Sequence, residues 1–426
     1  MGLLKRSSIY LLSNVLNAIV PFILLPVLTR YLSPDEYGQI AMFQTLVAGL
    51  SALTGLNAVG AANRKFYDDA NDKLLANFNG NCLNILFFSS CVVVVLCFLS
   101  ADYISEWLSI PKKWIYFAIV ISSSNFIIQF RLGQWQIREQ AISFGVMQVS
   151  QSVIVMLLSL ALVVGLKQGA TGRVDALLYV TILYAFISLL LLYQEKLLII
   201  FPLKKDHLKE AILFGVPLIP HVVGIFLLSS IDRFFINREL GVAEAGIYML
   251  AVQLSLGMAV VFDAINKALV PWLFRALADR DPLQLEKVVK FTYLFFIVVF
   301  ILGLLSFVVG PLIVTFVAGE PYQRAGAVIG WLCLGQAFSG MYLMVTNYIF
   351  YAKKTGPLSI ITISTGLINI LLISLLIGGY GIVGVAIAFS ASMALRFIGT
   401  FIIAIRASNI SWGFSIFKRK ANVGNV

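Results

Sequence analysis

The chain has 426 residues, of which 60% are hydrophobic and only 12% are charged, and its mean hydropathy is +0.94. A soluble domain carries about 25% charged residues, so this composition excludes an ordinary water-soluble protein. The net charge of +11 is spread over many short loops. That distribution argues against a nucleic-acid partner, because such a surface needs its basic residues concentrated on one folded domain.

Twelve apolar runs follow one another along the chain and predict an all-α polytopic membrane protein. Their length of about 20 residues favours helices, because barrel strands are about 10 residues long and alternate strictly. An even number of spans places both termini on the same side of the membrane. The runs cover residues 8–30, 39–62, 80–100, 114–134, 144–166, 176–194, 212–231, 243–268, 289–310, 326–350, 358–377 and 384–405.

The distribution of lysine and arginine among the loops predicts which side that is. Most of the 31 basic residues fall in loops on the side of the N-terminus. Cytoplasmic loops carry such an excess. Both termini are therefore expected to be cytoplasmic, with the basic loops facing the headgroups of the membrane lipids.

A short polar elbow between two apolar runs occurs twice, at residues 27–40 and 235–248. The elbows share the pattern Arg-x-Leu-x-x-x-Glu-x-Gly, which begins at Arg30 and again at Arg238, 208 positions later. Internal repeats of this kind set an architecture. Because six spans separate the copies, the halves have the same orientation, which predicts a twofold axis along the membrane normal and a central cavity. This is the architecture of an alternating-access transporter.

The repeat divides the chain into two six-helix bundles joined by a linker. We expect an N-terminal bundle at 1–200, a cytoplasmic linker at 201–211, and a C-terminal bundle with a short basic tail at 212–426. The loops are too short for a catalytic domain, and the sequence has no phosphate-binding Gly-x4-Gly-Lys-Ser/Thr motif. Neither the four cysteines nor the two histidines have the spacing of a metal site. The chain is therefore predicted not to be an enzyme and to need no cofactor or metal.

Charges within or beside the apolar runs are the candidate functional residues. A charge at bilayer depth costs about 2.5–3.5 kcal/mol, so it usually faces a cavity or a partner. Arginines lining the space between the halves could neutralise a phosphate-bearing substrate, because the planar guanidinium donates paired hydrogen bonds and stays charged. Those near helix ends could instead extend to the headgroups. The candidates are Arg396, Arg30, Arg64, Arg131 and Arg233.

Three further charged residues are candidates for coupling transport to an ion. Asp263 and Lys267 lie four residues apart in the eighth run and could instead simply neutralise one another. Asp232 ends the seventh run beside an arginine. Asn and Gln side chains inside the runs could bond to neighbouring helices.

Several motifs resemble those of the bacterial O-antigen flippases, the Wzx-type group of polysaccharide exporters. They are the first elbow, with Leu28-Thr-Arg-Tyr-Leu-Ser-Pro-Asp-Glu-Tyr-Gly38, then Phe214-Gly-Val-Pro-Leu-Ile-Pro220, and Tyr380-Gly-Ile-Val-Gly-Val-Ala386. The resemblance implies the multidrug/oligosaccharidyl-lipid/polysaccharide exporter fold, with its two bundles forming a V. It also implies transfer of an undecaprenyl-pyrophosphate-linked oligosaccharide, an O-antigen or capsule repeat unit, across the bacterial inner membrane.

The same resemblance implies coupling to H⁺ or Na⁺ and partnership with glycan polymerase and chain-length proteins. Two other functions of this fold remain open. A drug or metabolite cation antiporter would favour acidic residues in the cavity, for which Asp263 is the only well-placed candidate. A lipid II flippase usually has fourteen helices rather than twelve.

Overall fold

The computed structural model describes residues 3–68, 71–279, 281–352, 356–408, 410 and 412. These residues form α-helices joined by short turns and contain no β-strand, so the prediction of an all-α protein is confirmed. The helices are α1 (Leu3–Tyr31), α2 (Pro34–Ser51), α3 (Ala58–Asp68), α4 (Asp72–Leu99), α5 (Ala101–Leu108), α6 (Lys112–Ile137), α7 (Ala141–Leu160), α8 (Gly169–Gln194), α9 (Lys205–Gly215), α10 (Ile219–Ser229), α11 (Ile231–Leu240), α12 (Val242–Asp279), α13 (Pro282–Ala318), α14 (Gly326–Tyr351) and α15 (Gly356–Ala407).

Ten helical segments among the described residues are long and apolar enough to cross a membrane. The bent pair formed by α2 and the helix that follows it, with an angle of 55°, makes an eleventh. The longest helix, α15, has 52 residues. At 1.5 Å per residue it would be about 78 Å long, more than twice the hydrocarbon thickness of about 30 Å.

The chain reverses direction inside α15, at Gly381. This glycine has φ +57° and ψ −140°, outside the helical region. The two arms on either side pack against each other: Ser392 Oγ donates to Asn369 Oδ1 over 3.2 Å, and a Cβ added at Gly384 would lie 2.5 Å from the carbonyl oxygen of Leu376. The arms are therefore two antiparallel helices. Counted separately, they bring the crossings to the number that the apolar runs predict.

Ser33 sets the sharp elbow between α1 and α2. Its hydroxyl accepts from the backbone N–H of Glu36 over 3.2 Å, while the Glu36 carboxylate accepts from the Ser33 N–H over 3.0 Å. This capping box satisfies two backbone donors at once, and Pro34 at the first helical position is pre-set for the helix. We call the end of the bundle where α1 joins α2 the elbow end, and the opposite end the N-terminal end.

The two elbows pack against each other at the elbow end. A Cβ added at Gly38 would overlap the carbonyl oxygen of Val242, and one added at Gly246 would overlap that of Pro34. These contacts are reciprocal, since Pro34 and Gly38 correspond to Val242 and Gly246 in the repeat. Reciprocal contacts are the signature of a twofold axis. The sequence repeat is thus expressed as a close backbone contact between α2 and α12.

At the N-terminal end, α3 contacts α9. Lys65 Nζ lies 3.0 Å from Glu210 Oε1, and a Cβ added at Gly215 would overlap the carbonyl oxygen of Leu56. Helix α9 begins at Lys205, before the apolar run that predicts the seventh span. That span is also divided into α9, α10 and α11 rather than being one continuous helix.

Asparagine side chains of α4 hold the segment that joins the two halves. Asn79 Nδ2 donates to the carbonyl of Leu197 over 2.9 Å, and Asn81 Oδ1 accepts from the backbone N–H of Lys204 over 3.1 Å. Amides can satisfy both carbonyl and N–H groups of an irregular backbone. The joining segment is therefore fastened to the N-terminal helices.

Candidate functional site

A cavity of about 560 Å³ lies between α1 and α12. We call it the central cavity. Its walls are mostly apolar, with a few polar side chains among them. Tyr37 donates to Gln253 Oε1 at the elbow side of this space, next to the glycine contact that joins the two halves. The polar residues lining it are Asn14, Asn17, Gln44, Gln253 and Asp263.

A second cavity, of about 370 Å³, lies inside the N-terminal half between α1, α2, α6, α7 and α8. We call it the amide pocket. It adjoins the central cavity, because Asn17, Pro21 and Gln44 line both. Its polar lining consists of Asn17, Gln44, Asn125, Gln129, Gln148, Gln151, Ser152, Arg173 and Thr181.

Of the predicted coupling residues, Asp263 lines the central cavity. Its carboxylate lies 2.6 Å from Lys267 Nζ, one turn further along α12. Both side chains are about half exposed, at 42% and 48%. The pair therefore compensates its own charge while remaining open to water.

Arg396 lies on the second arm of α15 and is partly buried. Its guanidinium carbon is 3.9 Å from the ring centroid of Tyr342 on α14, which is a close cation–π contact. Its Nε is buried and has no hydrogen-bond partner among the described residues. The aromatic face compensates part of the charge and leaves this donor unused.

The structure places three of the predicted residues at the elbow end. Arg30 is exposed at the end of α1. Asp232 and Arg233 are buried at the start of α11, where Arg233 Nη1 donates to the carbonyl of Ser229 over 2.8 Å and lies 3.9 Å from Asp232 Oδ1. None of the three is among the residues that line the central cavity.

The last two predicted arginines lie toward the N-terminal end. Arg64 Nε is 3.5 Å from Asp68 Oδ2, and the side chain is 67% exposed. Arg131 is fully buried, forms an ion pair with Glu195, and stacks on Trp135 with 4.0 Å between the guanidinium carbon and the ring centroid. The five arginines thus occupy separate places, and the structure does not bring them together in one cluster.

Arg173 is a cavity-lining cation that the sequence reasoning missed. It lies between two apolar runs, where a sequence pattern indicates only a loop charge, but in the structure it lines the amide pocket and its Nη1 donates to Ser159 Oγ over 2.6 Å. The signal for this pocket is the spacing of its amides. Asn125 and Gln129 are four residues apart on α6, and Gln148 and Gln151 are three apart on α7, which puts each pair on one helix face.

A profile of the polysaccharide biosynthesis protein family matches residues 3–277. The chain belongs to this family. Two proteins are similar to this chain over most of its length. An Lsg locus protein of Haemophilus influenzae is 24% identical over 364 residues, which are 84% of this chain and 87% of that protein. A protein of the same organism, described as an uncharacterized membrane protein, is 27% identical over 374 residues, 86% of this chain and 89% of its own length.

Solved structures show which fold this family member adopts. The lipid II flippase MurJ, in an inward closed conformation, superposes with a TM-score of 0.75 at 15% identity, covering 92% of this chain and 87% of that one. An inward-facing multidrug resistance transporter of the MATE family, in the MOP superfamily, gives 0.68 at 16% identity and covers 94% of both chains. The polysaccharide biosynthesis family member therefore has the fold of this superfamily, and family and fold together support a membrane flippase or transporter.

Proposed function

We propose that the protein is a flippase that moves an undecaprenyl-pyrophosphate-linked oligosaccharide from the cytoplasmic to the periplasmic leaflet of the bacterial inner membrane by alternating access. The oligosaccharide is an O-antigen or capsule repeat unit. The division into bundles at 1–200 and 212–426, joined at 201–211, belongs to this proposal, because the two bundles are the bodies that move.

The observation that carries the proposal is the position of the central cavity. The cavity lies between the two halves, and reciprocal glycine contacts close the elbow end beside it. In the topology that the basic loops predict, the N-terminal end faces the cytoplasm. The space is thus shut toward the periplasm, as a carrier waiting for a substrate from the cytoplasmic leaflet requires. Its apolar wall suits a lipid, and its amides suit a polar headgroup.

Arg396 is the arginine that we place closest to the diphosphate during transport. In this structure Arg396 is not among the residues that line either cavity, and its Nε, which has no partner among the described residues, is buried, so the proposal requires the bundles to move before this donor meets the diphosphate. The contact would then be favourable, because a charge-assisted hydrogen bond to an anion is about twice as strong as a neutral one. The other arginines proposed to contact the anion, at separate points of its route rather than in one cluster, are Arg30, Arg64, Arg131 and Arg233. We call this set, with Arg396, the cationic path. Glycan polymerase and chain-length proteins are the proposed partners on the periplasmic side.

Ion coupling is proposed at the Asp263–Lys267 pair, with H⁺ or Na⁺ as the ion and Asp232 as a second acidic group. Asp263 lines the central cavity, and the pair is half exposed to water. The carboxylate can therefore exchange Lys267 for an ion without the cost of moving a charge out of an apolar interior. A cation antiporter would favour several acidic residues in the cavity, whereas Asp263 is the one acidic residue among those described that line the central cavity.

A leaflet-translocation assay tests the proposal. The purified protein is reconstituted in vesicles with a fluorescent undecaprenyl-pyrophosphate oligosaccharide, and exposure of the glycan on the far face is followed under imposed H⁺ and Na⁺ gradients. We expect protein-dependent translocation that falls about tenfold in Arg396→Gln, the loss that corresponds to one charge-assisted hydrogen bond. Asp263→Asn should abolish the response to the gradient while leaving slow, gradient-independent exchange.

The control is Lys290→Gln, which breaks a half-exposed ion pair with Glu286 of 2.8 Å on α13. It should translocate as the wild type does. If no oligosaccharide carrier moves under either gradient, while lipid II or a cationic dye does, the glycan flippase is wrong and the corresponding alternative replaces it.

A further inference from the structure

The amide pocket contains hydrogen-bonding groups that the protein does not use. Within the described part of the chain, the side chains of Gln44, Asn125, Gln129 and Gln151 make no hydrogen bond to another residue. The Oε1 atom of Gln148 is buried and has no partner there either. Amides that serve only to join membrane helices bond to each other or to backbone carbonyls. These amides instead leave their donors and acceptors facing the cavity.

Two other polar contacts in the same region do join helices. Ser152 on α7 donates to Asn17 Oδ1 on α1, and Arg173 on α8 donates to Ser159 on α7. They hold the walls together around the open space. The pocket is therefore a built cavity of about 370 Å³ whose remaining polar atoms are available to a ligand.

The lining chemistry fits a sugar ring. Each amide offers one acceptor oxygen and two N–H donors, so a set of amides can match neighbouring hydroxyl groups, which both donate and accept. Phe43 and Met156 supply apolar wall for the C–H faces of a ring. The central cavity next to it is mostly apolar and suits the lipid portion of a substrate.

Arg173 is the one charged side chain among the described residues that line the amide pocket. No carboxylate lines the pocket to neutralise it, and its bond to Ser159 occupies only part of its five-donor fork. An anionic group on the ligand would complete the set.

We propose that the amide pocket is a saccharide subsite, which holds one sugar ring of the transported glycan by its hydroxyl groups and prefers a sugar bearing a carboxylate, placed against Arg173. The inference rests on the proposed flippase function, because it assigns the glycan portion of that substrate to the N-terminal half. It also predicts that the lipid portion stays in the central cavity, which shares Asn17 and Gln44 with the pocket.

The test uses soluble sugars, so that neither lipid nor diphosphate takes part. The full chain in nanodiscs is titrated with glucuronic acid and with glucose, and binding is measured by saturation-transfer NMR. We expect saturable binding of both, tighter for glucuronic acid. Gln129→Met and Gln151→Met keep the side-chain volume, and each should lower the affinity for both sugars about three- to tenfold. Arg173→Gln should lower the affinity for glucuronic acid about tenfold and the affinity for glucose less than about twofold.

Gln336→Met is the matched control, since Gln336 is a buried membrane glutamine of α14 outside the pocket lining. It should bind both sugars as the wild type does, and thermal unfolding of every variant verifies that it is folded. Absence of saturable sugar binding in the wild type, or equal binding by wild type and pocket variants, overturns the subsite. So does inorganic pyrophosphate that binds through Arg173 while glucose does not, because the pocket would then hold the carrier diphosphate.

The outcomes separate this inference from the proposed function. If the protein translocates the lipid-linked glycan but binds neither soluble sugar, the saccharide subsite is wrong and the flippase function stands. If the protein binds the sugars through the pocket but moves no lipid-linked oligosaccharide in the vesicle assay, the flippase function is wrong and the saccharide site stands.

Discussion

The two elbows share one sequence motif. Its glycines make equivalent contacts in both elbows, whereas its glutamates bind different partners. Gly38 and Gly246 both press against the backbone of the opposite half. Glu36, in contrast, caps its own helix α2 and also accepts from the backbone N–H of Ala170 over 3.3 Å. Its counterpart Glu244 forms an ion pair with Arg324 of the C-terminal half. The backbone part of the repeat is shared, and the electrostatic part has diverged.

The segments that follow the third span of each half extend this comparison. Tyr322 Oη donates to the carbonyl of Leu32 in the first elbow over 2.9 Å, while Asn237 Nδ2 in the second elbow donates to the carbonyl of Trp107 over 3.0 Å. Each elbow is thus tied by a hydrogen bond to a segment of the opposite half that follows its third span. The ties occupy equivalent places but reverse the roles of donor and acceptor. Both halves therefore contribute to closing the elbow end, whereas the atoms that do so differ.

The largest expected effect breaks the shared feature. Gly38→Ala and Gly246→Ala each force a Cβ into a backbone carbonyl of the opposite half, and overpacking of this kind costs about 1–3 kcal/mol or more. We expect both variants to lose the closed elbow end, which thermal unfolding and accessibility of a cysteine placed in the central cavity would measure. Equal effects at the two positions would confirm that the contact is symmetric.

Each glycine has a control on its own helix. Gly49 on α2 and Gly257 on α12 have their nearest neighbours 3.7 Å and 3.5 Å from an added Cβ, which is ordinary contact. Alanine there should be neutral or slightly stabilising, because alanine is the better helix former. If Gly38→Ala unfolds at the temperature of Gly49→Ala, the interface is looser than the contacts require.

A smaller effect sharpens the difference between the glutamates. Glu36→Ala removes one half of the capping box of α2 and the carboxylate that accepts from the Ala170 N–H of α8. The loss should lower the free energy of unfolding by about 1 kcal/mol. Glu244→Ala removes an ion pair whose arginine is 67% exposed, and such pairs contribute about 0–1 kcal/mol. Thermal unfolding should therefore rank Glu36→Ala as the more damaging. The reverse order would mean that the ion pair, rather than the cap, holds the elbow end.

Sequence patterns predict the regular elements well and the long-range partners poorly. The run at 114–134 predicts α6, observed at Lys112–Ile137, because hydropathy alone defines a crossing. The run at 243–268 ends eleven residues before α12 does, because the helix continues past Lys267 through further apolar residues, of which Leu273 and Leu277 are buried in a hydrophobic cluster. The division of the seventh span around Val216–Leu218 follows from Pro217 and Pro220, which weaken the helix locally.

The candidate site was harder to predict, because its geometry depends on residues far apart in the chain. Arg131 looks like any helix-end arginine until Glu195, 64 residues later, is placed beside it. Arg173 has the sequence pattern of a loop charge, and only the packing of α1, α2, α6 and α7 around the amide pocket shows that it lines a cavity. The amides of α6 and α7 carried usable information in their spacing, but a spacing gives the face and not what that face meets.

The smallest expected effect concerns the arginines that open each motif, and it links the comparison to transport. Arg238 lies 3.6 Å from Glu239 with its side chain 61% exposed, whereas Arg30 is exposed and forms no ion pair within the described ranges. Exposed side chains of this kind change stability by about 0.5 kcal/mol or less, so Arg30→Ala and Arg238→Ala should both unfold as the wild type does. Translocation separates them. Arg238 is paired with Glu239, whereas Arg30 has no such partner among the described residues. Under the proposed function, only Arg30→Ala should therefore slow translocation of the lipid-linked oligosaccharide, by less than Arg396→Gln does. Equal rates for the two alanine variants would remove Arg30 from the cationic path and leave the motif arginines with a role in folding alone.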